Sequence, residues 1–355
     1  MIKFKLIILI LCCITHLVTA ETAFDLIDIG ISAESIAIGS IELGCQTAQC
    51  LFTNPALLDN KVNWSLDTFQ VKTVMDNYIR TFSLSKSYQN YVIGIGYNGT
   101  SIEGIQEGKD DFIEDQMEID YHSYQYGSYY LSGKASIIDN FSMGLNLKYK
   151  DITLADISGS GFNSDIGIGW KRSPYQFSFS IHNILQFQRL NFSDNMSNDY
   201  RSEFYPLKLF LSGSKFFNYK DIKADIYSQL KYHRFKSDYH NNSPILYALG
   251  IKLNIDQLPY LELMLGHRTV PYLEKTTSRQ SLGINLNLKP VKFSYAFEKS
   301  SVEIFNNHHY FSLSIFKMKS KIKFKKDQTQ NEKEELIHIK GYDGKVYITT
   351  IKKLK

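Results

Sequence analysis

The sequence predicts an all-β protein, a transmembrane antiparallel β-barrel of about fourteen strands with a short irregular segment in front of it. Three observations carry that expectation. From about residue 61 onward the dominant hydrophobic period is two, which places alternate side chains on opposite faces of a strand. The links between successive runs alternate in length, short turn then longer loop. Finally, apolar content is 43% and mean hydropathy is −0.23, too low for a bundle of membrane-spanning helices.

The first element is MIKFKLIILILCCITHLVTA. Lys3 and Lys5 form a basic start, Leu6 to Ile14 an apolar core, and Val18-Thr19-Ala20 a small-residue cleavage site before Glu21. The apolar core is shorter than the roughly 18 residues that span a bilayer, so residues 1–20 read as a cleaved export signal. Cys12 and Cys13 leave with it, and the mature chain keeps Cys45 and Cys50. An oxidising compartment allows these two to pair. Five residues apart on a helix they would point about 140° away from each other, so a bond requires a loop or broken helix between them. A disulfide and two buried thiols both remain open at this stage.

Residues 21–60 are neither alternating nor strongly helical, and they end in CLFTNPALLDN. Pro55 fixes its own φ and biases Asn54 toward extended backbone, while the Asn54 side chain can bond nearby backbone groups. Asn54-Pro55-Ala56 therefore predicts a turn that leads from this segment into the first strand.

The wall follows, 61–316. Strands are expected near 62–71, 78–86, 90–98, 121–135, 138–150, 161–171, 174–184, 204–216, 221–233, 244–255, 257–267, 278–288, 290–299 and 306–316. In NFSMGLNLKYK, Phe141, Met143, Leu145, Leu147 and Tyr149 share one face, and Ser142, Gly144, Asn146, Lys148 and Lys150 the other. YALGIKLNI repeats the pattern with Tyr247, Leu249, Ile251, Leu253 and Ile255. A soluble sandwich alternates too, but aromatics at 14% gathered near strand ends favour interfacial girdles. Short links are expected after strands 2, 4, 6, 8, 10 and 12, and longer ones after strands 3, 5, 7, 9 and 11. That parity belongs to outer-membrane barrels, with turns on the periplasmic side and loops outside. The last strand, HHYFSLSIF, carries Tyr310, Phe311, Leu313, Ile315 and Phe316, and alternation closing on an aromatic looks like the signal read by the outer-membrane assembly machinery.

Beyond it, 317–355 holds 12 Lys against 5 Asp or Glu, which marks a separate basic extension. Within it, ELIHIKGYDGKVYITTI predicts a hairpin turning at Asp343-Gly344.

The segment FDLIDIGISAESIAIGSIELGCQTAQCLFTNPALL, with Gly39 in its Ser32–Ser40 stretch, Asn54-Pro55-Ala56 at its end, and the closing YFSLSIF, resembles the FadL-like outer-membrane barrels and their PorV/PorQ and UPF0164-like relatives. The resemblance covers roughly residues 24–316. It implies that 21–60 folds into the lumen as a hatch, with Gly39, Cys45, Cys50 and the Asn-Pro-Ala turn as its fixed points. It departs from the family at Gln46-Thr47, where relatives carry an acidic pair, and at Leu57, where they carry Gly.

Two functions follow from the resemblance. One is passive transport of a hydrophobic small molecule across the outer membrane, marked by apolar residues facing the lumen; the quoted strands offer few. The other is a type IX secretion component that binds or shuttles an exported cargo protein. The remaining partners expected are outer-membrane lipid around the wall and a periplasmic contact for the basic tail, with no nucleic acid for an exported chain. No zinc-protease, Walker or nucleophile-elbow motif occurs, so neither an enzyme nor a cofactor is expected. His308 and His309 alternate faces of a strand, His182 lies on a polar face as a lumen-lining residue, and the acidic run GKDDFIEDQMEID (108–120) reads as a solvated outer loop.

Overall fold

The computed structural model describes residues 28–45, 47–72, 78–107, 120–154, 157–184, 190–194, 200–203, 205–233, 245–272, 275–300, 308–319, 325–326, 335–340 and 346–351. The export signal, Gln46, the acidic run at 108–119 and the Asp343-Gly344 turn lie outside these.

Among the described residues the first unit contains a helix, α1 (Ala33–Ala37), three 3-10 turns (Glu42–Gly44, Ala48–Phe52, Pro55–Leu57) and sixteen strands. They are β1 (Val62–Lys72), β2 (Tyr78–Tyr88), β3 (Tyr91–Glu107), β4 (Asp120–Ile138), β5 (Phe141–Leu154), β6 (Ile157–Arg172), β7 (Tyr175–His182), β8 (Leu190–Asp194), β9 (Tyr200–Glu203), β10 (Lys208–Tyr219), β11 (Ile222–His233), β12 (Ile245–Ile255), β13 (Leu261–Tyr272), β14 (Lys275–Leu288), β15 (Val291–Ser300) and β16 (His308–Met318). Every strand but β8 and β9 joins its chain neighbours antiparallel, and β1 lies beside β16, so fourteen strands close into a barrel. Closure removes the unpaired edges that an open sheet would expose to lipid. The hairpin β8–β9 continues the sheet on β6 beyond the end of β7, with Ile157 opposite Asp194 and Ser160 opposite Asn191.

The turns after β2, β4, β6, β10, β12 and β14 all lie at one end and span two to five residues, from 89–90 to 256–260. The parity expected from the sequence therefore holds at this turn end. At the opposite, loop end two expected long links are short instead. The ladders of β5–β6 and β13–β14 run on to Leu154↔Ile157 and Tyr272↔Lys275, leaving two residues between partners. Continued pairing satisfies backbone groups that a loop would hand to water. β3 and β4 extend similarly, with a register shift between Ile102 and Ile105. The closing strand runs two residues past Phe316, which shares the inward parity of Tyr310, Ser312 and Ser314.

The polarity of the wall is inverted relative to a soluble protein. Leu147 is 51% exposed and Leu249 54%, whereas Lys148 and Lys252, one side chain along or nearby on the inner face, are 1% exposed. Facing outward, Tyr97, Tyr129, Tyr149 and Phe162 form a continuous aromatic row across β3–β6, with centroids 5.2, 6.2 and 5.0 Å apart. At the turn end Tyr88, Tyr91, Tyr175, Tyr219 and Tyr260 are exposed. An apolar outer band between two aromatic girdles is what a lipid-facing wall requires.

The second unit, from Met318 on, is a three-stranded antiparallel sheet: β17 (Lys325–Lys326), β18 (Glu335–Lys340) and β19 (Val346–Ile351). The expected hairpin is present as β18–β19, with Lys340 opposite Val346.

Candidate functional site

Residues 28–45 and 47–58 occupy the interior of the barrel. Backbone polar groups that the short helix and three 3-10 turns leave unpaired are met by inward side chains from around the wall. Ser312 Oγ accepts from Ala33 N (2.8 Å), Gln229 Oε1 from Glu42 N (2.9 Å) and Ser65 Oγ from Ala48 N (2.9 Å). In the other direction Asn146 Nδ2 donates to Leu51 O (2.6 Å), Ser142 Oγ to Ala56 O (2.8 Å) and Ser281 Oγ to Ala37 O (3.2 Å).

Glycines of the wall provide the clearance. A Cβ on Gly250 or Gly266 would come within 2.3 Å of Ile38 O or 2.2 Å of Gly39 N, and one on Gly283 within 2.3 Å of Ala37 Cβ. Gly39 itself has φ +87° and faces the backbone of His267 and Leu249, so its missing side chain is needed twice over. Leu51 and Phe52 press on Gly94 and Gly96, and Phe52 meets Tyr130 edge-on at 5.0 Å. Cys45 and Cys50 are joined as a disulfide with Cα atoms 5.5 Å apart, across the break between two 3-10 turns that the sequence geometry demanded.

Asn-Pro-Ala does more than turn the chain. Asn54 Oδ1 accepts from Ala56 N (3.0 Å) and caps the 3-10 turn that Pro55 begins. Its Nδ2 reaches Glu42 Oε2 (3.3 Å) and the carbonyls of Ile168 and Phe179 on β6 and β7 (3.5 and 3.4 Å). Asn54 fits over Gly167, where a Cβ would lie 2.0 Å from Oδ1, while Pro55 and Ala56 fit over Gly144. The motif is thus a key in a notch made by two glycines of β5 and β6.

Three charge clusters, two of them fully buried, tie the segment to the wall. Glu34 lies between Lys252 (2.6 Å) and Lys292. Burial on its own would raise the Glu34 carboxyl, but Lys252 and Lys292 outweigh it and hold the group at about 2. Asp28 meets Lys208 at 2.6 Å, Lys231 at 2.7 Å and His233 at 3.7 Å. Glu42 accepts from Ser180 Oγ and stands 3.4 Å from His182 Nε2, while Asp165, paired with Lys148 at 2.5 Å, is 3.9 Å from Nδ1 of the same ring. His182 therefore faces the lumen, as expected, with Glu42 seated across Ser180. His308 and His309 take opposite faces, His309 bonding Tyr295 Oη at 2.8 Å.

Toward the loop end the inner wall changes character. Phe69, Val71, Ile79, Tyr126, Ile152 and Tyr310 face inward and join the cluster that includes Ile36, Ile38 and Ile41 of the segment. Phe69 and Tyr310 stack with centroids 6.1 Å apart, and Tyr310 Oη donates to Glu298 (3.1 Å), which also pairs with Arg268 (2.7 Å). Apart from Tyr310, this apolar ring lies outside the stretches in which the sequence offered few apolar lumen residues. Its signal is a phase change within strands: in β1 the apolar parity passes from Trp64 and Leu66 to Phe69 and Val71, and in β2 from Ile79 to Phe82 and Leu84. Of the closing-strand residues, Tyr310 belongs to this ring, whereas Phe311, Leu313 and Ile315 face outward.

Fourteen closed strands around a docked N-terminal segment bear on known structures. The chain shares its fold with TodX. The Pseudomonas putida toluene transporter TodX aligns with a TM-score of 0.52 at 11% identity, covering 81% of this chain and 99% of that one. The deltaS2 mutant of the TodX monoaromatic hydrocarbon channel aligns at 0.53 and 12%, covering 84% and 100%. A Pseudomonas aeruginosa FadL homologue aligns at 0.49 and 10%, covering 84% and 99%. At these identities the likeness is one of fold. No family model matches the chain, and no curated protein matches it in sequence.

Proposed function

We propose that this protein is a bacterial outer-membrane channel for passive passage of a hydrophobic small molecule. The observation that carries the reading is the inward ring of Phe69, Val71, Ile79, Tyr126, Ile152 and Tyr310 above a polar, ion-paired floor. In the closed state this ring packs against Ile36, Ile38 and Ile41 of the segment; once uncovered, an apolar inner surface at one mouth of a barrel suits an apolar solute. The fold shared with TodX, a toluene transporter, supports the same class of cargo.

In this reading the loop end faces outward and the turn end faces the periplasm, with the basic extension 317–355 on the periplasmic side. The signal 1–20 directs export. The segment 21–60 acts as a hatch: a shift of the segment off its glycine seats uncovers the apolar ring, where the solute collects, and opens the way through the lumen or sideways through the wall. The outer-membrane assembly machinery would recognise the closing strand.

Proteoliposomes carrying the full chain test it. Uptake of a small apolar solute should exceed that of empty vesicles, and Ile79→Asp should cut the excess about tenfold or more, since a carboxylate is costly to pass or neutralise in an apolar ring. Uptake no faster than in empty vesicles would sink the channel reading. Mass spectrometry of the gently extracted barrel then decides the secretion alternative, which predicts a captured exported protein and no small ligand.

A further inference from the structure

Directly beneath the apolar ring lies a row of polar inward residues with one amide to spare. Cross-strand register places Thr81 beside Asn98 and Asn98 beside Ser128, with Ser128 beside Lys150. One step toward the loop end, Ile79, Thr100, Tyr126 and Ile152 form the corresponding row of mostly apolar residues. One step the other way, Ser83 and Gly96 are paired.

Most of this polar row is used by the protein. Thr81 Oγ1 donates to Ile31 O (3.4 Å), Ser128 Oγ to Tyr126 Oη (3.3 Å), and Lys150 Nζ to the same phenol (3.3 Å). Asn98 is different. It is 1% exposed, yet neither Oδ1 nor Nδ2 has a hydrogen-bond partner among the described residues. The hydroxyl of Ser83, its diagonal neighbour across the β2–β3 ladder, is likewise without one. A buried carboxamide left unpaired costs free energy, and natural structures rarely leave both of its ends unused. Tyr97 and Gly99 flank it outward, so alternation aims the Asn98 amide into the lumen.

We infer that Asn98 is a specificity residue that recognises the polar head of the solute, and that the preferred cargo is an apolar body bearing one neutral hydroxyl, such as a phenol or an alcohol. Once the hatch has shifted off them, Phe69, Ile79, Tyr126 and Tyr310 hold the body. The hydroxyl donates to Asn98 Oδ1 and accepts from Asn98 Nδ2 or Ser83 Oγ. A plain hydrocarbon would leave the amide unpaired, and that is the discrimination the site makes. The inference rests on the channel reading above and adds the chemistry of the head group.

The test uses the full chain in lipid nanodiscs with p-cresol and p-xylene, which differ by hydroxyl against methyl. Equilibrium dialysis measures each, corrected for its uptake by empty nanodiscs. Wild type should hold p-cresol about tenfold more tightly than p-xylene. Asn98→Leu should erase that preference by weakening p-cresol while p-xylene is unchanged, and Ser83→Ala should reduce it a few-fold. Equal corrected binding of the two solutes, or a preference that survives Asn98→Leu, overturns the inference and leaves the hydrophobic channel standing; the second result would mean that water or another protein group satisfies the amide. Binding of neither solute overturns both readings. If Asn98→Leu fails to give a heat-modifiable barrel, the wild-type ratio and Ser83→Ala decide.

Discussion

Glu34 is the residue on which seating of the N-terminal segment most depends. It is buried and shared between two buried lysines, Lys252 and Lys292, that reach it from β12 and β15. Removing one member of such a cluster is worse than never having built it, because the remaining charges stay buried without compensation. Glu34→Gln should destabilise segment docking by about 3–5 kcal/mol. Amide exchange in 33–44 should then rise strongly while the barrel strands keep their protection; unchanged exchange would show that the glycine seats alone hold the segment. The sign of the pH dependence follows from the depressed carboxyl. A group held at about 2 against an ordinary 4.5 contributes fully above 4.5 and loses that contribution as pH falls toward 2. Exchange in 33–44 should therefore rise on acidification through that window in the wild type and stay flat in Glu34→Gln. At this scale the sequence was only partly legible. Asn54 and Pro55 announce a turn by their own backbone chemistry. Glu34 sits unremarked in SAESIAIGS, since the lysines that meet it lie 218 and 258 residues away.

The elements were far more legible than their contacts. Period-two alternation and turn chemistry act within a strand and its hairpin partner, so the fourteen wall strands could be located before any tertiary information. The extra hairpin β8–β9 escaped, because five- and four-residue strands show too little alternation to stand out from a loop. The inner ring escaped because alternation was followed across each strand at one phase, whereas apolar parity shifts partway along β1 and β2. The glycines were visible as small residues of the polar face, but which ones form seats depends on the segment above them. Gly144, on the inner face, and Gly133, on the outer face with Leu131, separate a seat from a glycine without one. A Cβ at Gly144 would lie 2.4 Å from Ala56 N and 2.5 Å from Pro55 C, both backbone atoms that cannot swing aside, while a Cβ at Gly133 would meet nothing within 4 Å. Gly144→Ala should cost about 1–3 kcal/mol as overpacking and raise amide exchange over 50–58. Gly133→Ala should stay within about 0.5 kcal/mol of wild type. Equal effects from the two would mean that the wall yields and the Asn-Pro-Ala key is not rigidly seated.

For the whole molecule, one inversion organises everything else. Below the apolar ring, apolar wall side chains point out and lysines, carboxylates and amides point in, so ion pairs and hydrogen bonds to the N-terminal segment share the interior with two apolar clusters around it. Water would not tolerate that outer surface and lipid would not tolerate that inner one, which is why closure, girdles and a filled lumen occur together. The sequence carried this through loop parity and aromatic placement, which put the apolar face outside even though a sandwich would alternate equally well. Leu249, midway along β12 and 54% exposed, tests the inversion directly. On a water-facing surface Leu249→Arg would be close to neutral and would improve solubility. On a lipid-facing wall it should cost about 2–4 kcal/mol, the depth-dependent penalty of a guanidinium near the bilayer midplane. Reversible urea unfolding from lipid vesicles measures the difference. A penalty in that range fixes the outer face in hydrocarbon, and a neutral result would require β12 to face protein or water instead, which would remove the physical basis for reading the barrel as a membrane channel.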